Sequence, residues 1–250
     1  MTTLLTASDY RQGVSILQEM STAAGTEGAF APRGVELLAR AVASEITTLS
    51  VCHLASGRRE VVGTPTGAIN AADRACFDHF FNAHPLVRYH AYRRGPDTHR
   101  ISDSIPFSRF RDTALYNEYY RRIGIDHAVA VPLQFDGDML VSFVLNRRRR
   151  DFSARERARL EMLREGLSAL YRQSVLLQKL KTRALAALDR WELTPRERDV
   201  MHWLSHGKTD GDIGEILGIS ARTVQKHLQR IYTKLGVETR TAAVMRSLAS

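Results

Sequence analysis

Lysine is absent from the first 178 residues of this 250-residue chain, tryptophan from the first 190, and cysteine occurs only at Cys52 and Cys76. Each gap excludes something. A receiver domain combines an acidic cluster and a phospho-acceptor Asp with a lysine, and the first lysine here is Lys179. Two distant cysteines are too few for a disulfide scaffold or a Cys-rich zinc site, and they read as reduced, buried fillers. Met1 to Gly13 has no basic cluster ahead of an apolar run, and no stretch approaches the ~18 apolar residues that would span a bilayer. These absences predict a soluble, cytoplasmic protein with no membrane partner. From Ser220 to Gly236 there is no acid at all, although Arg222, Lys226, Arg230 and Lys234 all fall there.

Thirty-six Lys and Arg against 27 Asp and Glu give a net charge of +9 and a pI near 9.9, which favours a polyanionic partner. With 44% hydrophobic and 25% charged residues the composition is that of a folded protein, so the excess charge is localised. The length suits two domains.

Tyr10, Val14, Leu17 and Met20 predict a helix over 8–23, and Val35, Leu38 and Val42 another over 32–45. β-Branched texture from Ile46 to Val62, broken by Ser56-Gly57, predicts two strands joined by a tight turn. Val129, Val131, Leu133 and Phe135, the turn Asp136-Gly137, then Met139, Val141, Phe143 and Leu145 predict a hairpin with one buried face. A helix over 70–83 and an aromatic, Arg-rich and His-rich stretch over 84–123 complete an α+β domain. The run Arg147 to Arg150 reads as a solvated corner. Ser153 and Glu156 form a capping box, opening a helix whose Leu160, Leu163, Leu167, Leu170, Ser174, Leu177, Lys181, Ala184 and Leu188 recur at three and four. This seam suits packing on the sheet, a parallel coiled coil in a homodimer, or a flexible linker past the sheet.

Beyond it, Thr194-Pro195-Arg196-Glu197 unites an N-cap hydroxyl, Pro at the first helical position and a capping-box Glu. Val200, Trp203 and Leu204 give that helix its apolar face and Gly207 ends it. A second helix spans 209–217, with Ile213, Ile216 and Leu217 inward. Gly218-Ile219-Ser220 is the tight turn of a helix-turn-helix. Ser220 caps a third helix ending at Gly236, and Thr239 caps a fourth. On a helical wheel starting at Arg222, Val224, Leu228, Ile231 and Leu235 fall within roughly 180–240°, an anchoring stripe. The opposite face and its flank carry Arg222, Thr223, Gln225, Lys226, His227, Gln229, Arg230 and Lys234. Cations can reach guanine edges or phosphates and Gln can pair with adenine, so these eight residues are the candidate contacts to double-stranded DNA.

Leu193-Thr194-Pro195-Arg196-Glu197-Arg198, Leu217-Gly218-Ile219-Ser220, Thr223-Val224, His227, Lys234-Leu235-Gly236-Val237 and Thr239-Arg240 resemble the LuxR-type (NarL/FixJ) helix-turn-helix. The resemblance implies a third helix in the major groove, with Gln225, Lys226 and Gln229 reading bases and Thr223 and His227 near the backbone. It also implies a fourth helix at a dimer contact, inverted-repeat sites, and RNA polymerase as partner if the protein activates. Gly211 and Gly214 depart from the family, where helix formers and a small Ala are favoured, and predict a locally weak second helix.

The hairpin followed by Asp151-Phe152-Ser153-Ala154-Arg155-Glu156 and a Leu-rich helix resembles the end of a GAF domain, which implies a small-molecule pocket beside the sheet. Tyr89, Tyr92, Phe107, Phe110, Tyr116, Tyr119 and Tyr120 are its candidate lining. The expected organisation is a GAF-like sensor and dimerisation domain over 8–175, a helical connector over 176–190 and an all-α four-helix reader over 191–250. The chain then reads as an effector-controlled transcriptional regulator, not an enzyme, without cofactor, metal or catalytic residues. Acyl-homoserine lactones are disfavoured as effector, because family members that bind them use tryptophans in the pocket, and Trp191 and Trp203 both belong to the reader. Two alternatives stand beside this reading: a ligand-free dimerisation or protein-interaction module, or a redox or metal sensor built on Cys52, His53, Cys76, His79, His84 and His90.

Overall fold

The computed structural model describes residues 5–56, 59–189 and 191–248, with the backbone alone at 183–189 and 248. The chain divides into two compact units, 1–175 and 176–250.

In the first unit, helix α1 (Ala7–Ala24) starts at Thr6, whose hydroxyl accepts from Asp9 N while the Asp9 carboxylate accepts from Thr6 N. Its buried face is not the predicted one. Tyr10 and Val14 are exposed, and Asp9, Gly13, Ile16 and Met20 are covered. Gly13 sets this rotation, because a Cβ there would lie 2.5 Å from the Met162 methyl. Asp9 is covered because Arg155 and Arg159 pair with it, at 2.8 and 3.2 Å. Helix α2 (Phe30–Ala41) ends four residues before the predicted 45, where Val42 turns extended to enter β1 (Ile46–His53). Strand β2 (Arg59–Thr64) follows; Gly57 of the predicted Ser56-Gly57 turn lies outside the described residues. Next come α3 (Ala71–Phe80), capped by Asn70, and a string of short elements: α4 (Pro85–Val87), a π-turn (Arg88–Tyr92), β3 (His99–Arg100), α5 (Ile101–Ser104), α6 (Phe107–Phe110) and a second π-turn (Tyr116–Tyr120).

Strands β4 (His127–Phe135) and β5 (Met139–Arg147) form the expected hairpin, with Gly137 at φ +101° in its turn. The sheet is antiparallel in the order β2-β1-β5-β4-β3. Both of its faces are buried, not one. Leu49, Val129, Val131, Val141, Phe143 and Leu145 pack against α1, α2 and the start of α7 (Ala154–Asp189). On the other face Ile46, Ala128, Ala130 and Val144 meet the short helical segments through Leu86, Phe110, Tyr116 and Tyr120. Alternation hid this second core because Ala and Ser, which look neutral, occupy the face that α3 to the second π-turn cover. Across the first core runs an aromatic chain: the Phe143 ring lies 6.1 Å from that of Phe30, which lies 5.6 Å from that of Tyr171 on α7. Phe143 presses on α2 where only Gly34 leaves space, since a Cβ there would lie 2.3 Å from the ring.

The Ser153 and Glu156 box opens α7 as predicted. Arg147 is not part of a solvated corner: it is buried, pairs with Glu156 at 2.9 Å, donates to the Ala43 carbonyl and lies over the Phe152 ring. Leu160, Leu163, Leu167 and Tyr171 are buried, whereas Leu176, Leu177 and Leu180 are exposed. Ala184 and Leu188 of the seam lie outside the described side chains.

The second unit holds α8 (Pro195–Ser205), α9 (Asp210–Leu217), α10 (Ala221–Leu235) and α11 (Arg240–Leu248) around a core of Val200, Met201, Leu204, Ile213, Val224, Leu228, Ile231 and Leu235. Capping boxes start α8 and α9, and Gly218 and Gly236 end α9 and α10 in left-handed conformations. Ile216, predicted inward, is exposed; Ile213 and Gly214 are the buried residues of α9.

Candidate functional site

The outward face of α10 depends on how α9 and the turn hold that helix. A Cβ on Gly214 would stand 2.6 Å from the Ile219 carbonyl oxygen and 3.3 Å from Ala221 N, so glycine lets the turn fold directly onto α9. At Gly214 the departure is therefore a close backbone approach, whereas Gly211 has no such contact. Arg196 donates to the Leu217 carbonyl at 2.6 Å, satisfying one of the last acceptors of α9. At the other end Arg240 pairs with Asp210 at 2.7 Å, tying α11 to α9.

Ser220 caps α10 by accepting from Thr223 N at 3.2 Å, and its hydroxyl meets that of Thr223 at 2.8 Å. Arg222, Gln225, Lys226, Gln229 and Arg230 are exposed on one connected face. Thr223 is half-buried in the cap. His227 is half-buried too, with Nδ1 unpartnered among the described residues. Lys234 is placed differently from expectation: its Nζ bonds the Glu197 carboxylate at 2.8 Å and the Glu192 carbonyl at 2.9 Å. It pins α10 to α8 and is turned from the face where it was expected. Burial pushes the Glu197 carboxyl up, but the bonds from Lys234 and Thr194 outweigh it and hold the group below its usual range.

A second candidate site lies in the first unit, where a cavity of ≈ 70 Å³ sits between the β1, β2 and β5 surface and the segments from α3 to the second π-turn. His84, N-cap of α4, accepts from Leu86 N at its Nδ1 at 3.2 Å, so its proton resides on Nε2, 2.7 Å from the Tyr120 hydroxyl. His90 has the opposite tautomer: Nδ1–H donates to the Gly95 carbonyl at 2.8 Å, and Nε2 is buried with no partner. Burial, with the nearby Arg59 charge, pushes His84 down to about 3, and burial pushes His90 down to about 4, so both rings are neutral. Ser142 Oγ is also buried and unpartnered. Arg59 is the one charged lining residue; its Nε lies 3.1 Å from the Asp78 carboxylate, and its guanidinium sits 4.1 Å over the Phe77 ring. Burial raises the Cys52 thiol to about 11, which leaves it protonated and poorly nucleophilic.

Of the seven aromatics predicted to line a pocket, Tyr119 and Tyr120 do so here. Phe107, Phe110 and Tyr116 pack in the second core, Tyr116 donating to Asp126 at 2.6 Å. Tyr89 stacks on His99 with centroids 3.5 Å apart and lines, with Phe110, a separate surface cleft; Tyr92 is exposed and donates to Asn82. Arg59 and Ser142 carry no cue in the sequence pattern, which marks His84 and His90 only as conceivable metal ligands. Among the described residues no three His, Cys, Asp or Glu side chains converge as a metal would require.

Residues 192–247 match the family described as bacterial regulatory proteins, luxR family. The transcriptional activator protein BjaR1 of Bradyrhizobium diazoefficiens is 54% identical over 52 residues, 21% of this chain and 22% of that protein. The quorum sensing-dependent transcriptional regulator RpaR of Rhodopseudomonas palustris is 30% identical over 145 residues, 57% of this chain and 56% of its own. The chain thus spans between about a fifth and just over half of the length of these relatives. Among solved structures, the ligand-binding domain of VqsR from Pseudomonas aeruginosa aligns with a TM-score of 0.53 at 14% identity, covering 69% of this chain and 99% of that one. That likeness concerns the fold alone, and the sheet with its covering helices is of the α+β class expected from the sequence.

Proposed function

We propose, from a C-terminal domain that belongs to the LuxR family of helix-turn-helix units, that this chain is a sequence-specific DNA-binding transcription regulator controlled through its N-terminal domain. The observation that carries the reading is the exposed, acid-free face Arg222, Gln225, Lys226, Gln229 and Arg230, on a helix whose opposite stripe is wholly buried. Arg and Lys neutralise phosphates, and Gln and Lys reach base edges in a major groove. Thr223 and His227 lie on its flank, near the path of a phosphate backbone. Titration of operator DNA, selected from a random pool, tests this. Lys226→Ala should weaken specific binding by about tenfold or more if the side chain reads a base, consistent with ~1–3 kcal/mol per base contact. An unchanged affinity and an unchanged salt slope would refute the assignment.

Control by a small effector is supported by the buried cavity and its unpartnered polar atoms; a domain serving only as a dimer clamp would have no use for them. The exposed Leu176, Leu177 and Leu180 on α7 support self-association as a homodimer, which sedimentation of the full chain at micromolar concentration tests. A monomer there would remove that part of the reading. Catalysis has no support in this cavity: the Cys52 thiol is held protonated, and the histidines are tied by their own hydrogen bonds.

A further inference from the structure

The cavity in the first unit carries information about the chemistry of its occupant, resting on the reading of that domain as an effector domain. Three of its polar groups have open valences for reasons fixed by neighbouring bonds. Because His84 Nδ1 is occupied by the Leu86 N–H, His84 donates to Tyr120, and the Tyr120 hydroxyl has its own proton left to give. No acceptor for that proton stands among the described residues. Because His90 gives its Nδ1 proton to Gly95, its Nε2 can only accept. Ser142 Oγ can do either. A buried polar atom left unpaired is destabilising, and native proteins rarely hold several on one wall without a ligand or water to meet them.

Charge and size narrow the class further. Both histidines are neutral, and the only charged side chain of the described lining, Arg59, has its charge balanced by the Asp78 carboxylate 3.1 Å from its Nε, although that Nε makes no hydrogen bond. The site therefore offers an ionised group no unshared counter-charge. A cavity of ≈ 70 Å³ has room for a few water-sized positions, which suits a single small ring better than a bulky molecule. The rest of the lining is mixed: Ile69, Phe77, Phe81, Leu86 and Val144 are apolar, whereas Thr48, Ser50, Tyr119 and Asn146 add polar groups on the sheet and on the second π-turn.

We propose that this cavity takes an uncharged, single-ring molecule that presents a hydrogen-bond acceptor to the Tyr120 hydroxyl and a hydrogen-bond donor to His90 Nε2, with Ser142 Oγ bonding the same polar groups. His84 is then a positioning residue, which holds the Tyr120 oxygen so that its proton points at the ligand. The class differs from long-chain amphiphiles and from aromatic acids.

Saturation-transfer NMR titrations on the full chain test this with named probes. Benzamide and 2-pyridone are neutral rings with one donor and one acceptor. Benzoate keeps the ring and adds charge, toluene removes the polar groups, and octanamide keeps the amide on a chain. At least one of the first two should bind saturably and more tightly than all three controls. Tyr120→Phe and Ser142→Ala, both nearly isosteric, should each weaken that probe by about fivefold to tenfold, the range of one lost hydrogen bond. Preference for benzoate or octanamide, absence of binding by both neutral rings, or equal affinity in wild type and both variants overturns the proposal. Operator titration of the same samples judges the effector reading separately. A ring probe that binds but leaves DNA affinity unchanged supports the ligand class and refutes effector control.

Discussion

Lowering the pH from 7.5 to 5 should destabilise the N-terminal unit more than the C-terminal one, and the size of the effect follows from two side chains. An unfolded histidine titrates near 6.5, whereas burial holds His84 at about 3 and His90 at about 4. Between these values the unfolded chain binds two protons that the folded unit does not. Stability therefore rises with pH, is fully present above about 6.5, and is lost as pH falls toward 4. At pH 5 each ring contributes about 2 kcal/mol of loss, together about 4 kcal/mol out of a typical 5–15 kcal/mol. His99, also lowered by burial, acts in the same direction. The carboxylates with depressed values, such as Glu156 at about 2, respond only at lower pH. Urea unfolding can be read separately for the two units, because Trp191 and Trp203 both lie in the second and, of the eight tyrosines, only Tyr232 lies outside the first. Tyrosine near-ultraviolet dichroism should lose its midpoint steadily from pH 7 to 5 while tryptophan fluorescence moves less. His84→Asn retains an acceptor for the Leu86 amide and should reduce the slope by one proton. A flat tyrosine midpoint across this range, or an identical slope in the variant, would show that the histidines are not buried neutral.

Three substitutions probe the rest of the molecule. Gly214→Ala should destabilise the C-terminal unit by about 1–3 kcal/mol despite alanine's better helix propensity, because its methyl meets the Ile219 carbonyl; a raised melting temperature by tryptophan fluorescence would refute the close approach. Lys234→Met leaves Glu197, 2% exposed, without its cation and should cost about 3–5 kcal/mol by the same assay. Were Lys234 a DNA contact instead, the variant would melt normally and lose only operator affinity. Arg147→Ala strips Glu156 and the Ala43 carbonyl of their partner and uncovers Phe152, and should lower the unfolding free energy of the N-terminal unit, read by tyrosine dichroism, by about 2–4 kcal/mol; a loss under about 0.5 kcal/mol would mean the arginine is solvated after all.

The C-terminal unit was legible in the sequence because its signals are local. Thr194, Thr209 and Ser220 cap helices within three residues of their partners, and Gly218 and Gly236 stop them with a conformation few other residues adopt. The bond from Lys234 to Glu197 is invisible to that local pattern, because its partner is 37 residues away, on another helix. In the N-terminal unit the hairpin was visible from period-two alternation, but the second core was not, since Ala128, Ala130 and Ser142 do not announce burial. The rotation of α1 depended on Gly13, a residue that contributes nothing to a hydrophobic pattern. The cavity was the least accessible to pattern reading. Arg59, His84, His90, Tyr120 and Ser142 come from separate segments, and their importance lies in which ring nitrogen each local bond leaves over, a property of coordinates and not of spacing.

The sheet with two buried faces makes β5 a diaphragm one residue thick. Ser142 and Phe143 are consecutive, so one opens on the cavity and the other on the opposite core. Phe143 has no slack behind it, because the space that lets it sit against α2 is the missing side chain of Gly34. Close-packed groups pass a displacement on instead of absorbing it. An occupant of the kind proposed that displaced Ser142 would press on Phe143, and through Phe30 on Tyr171, which stands on α7, the helix that follows the sheet toward the second unit.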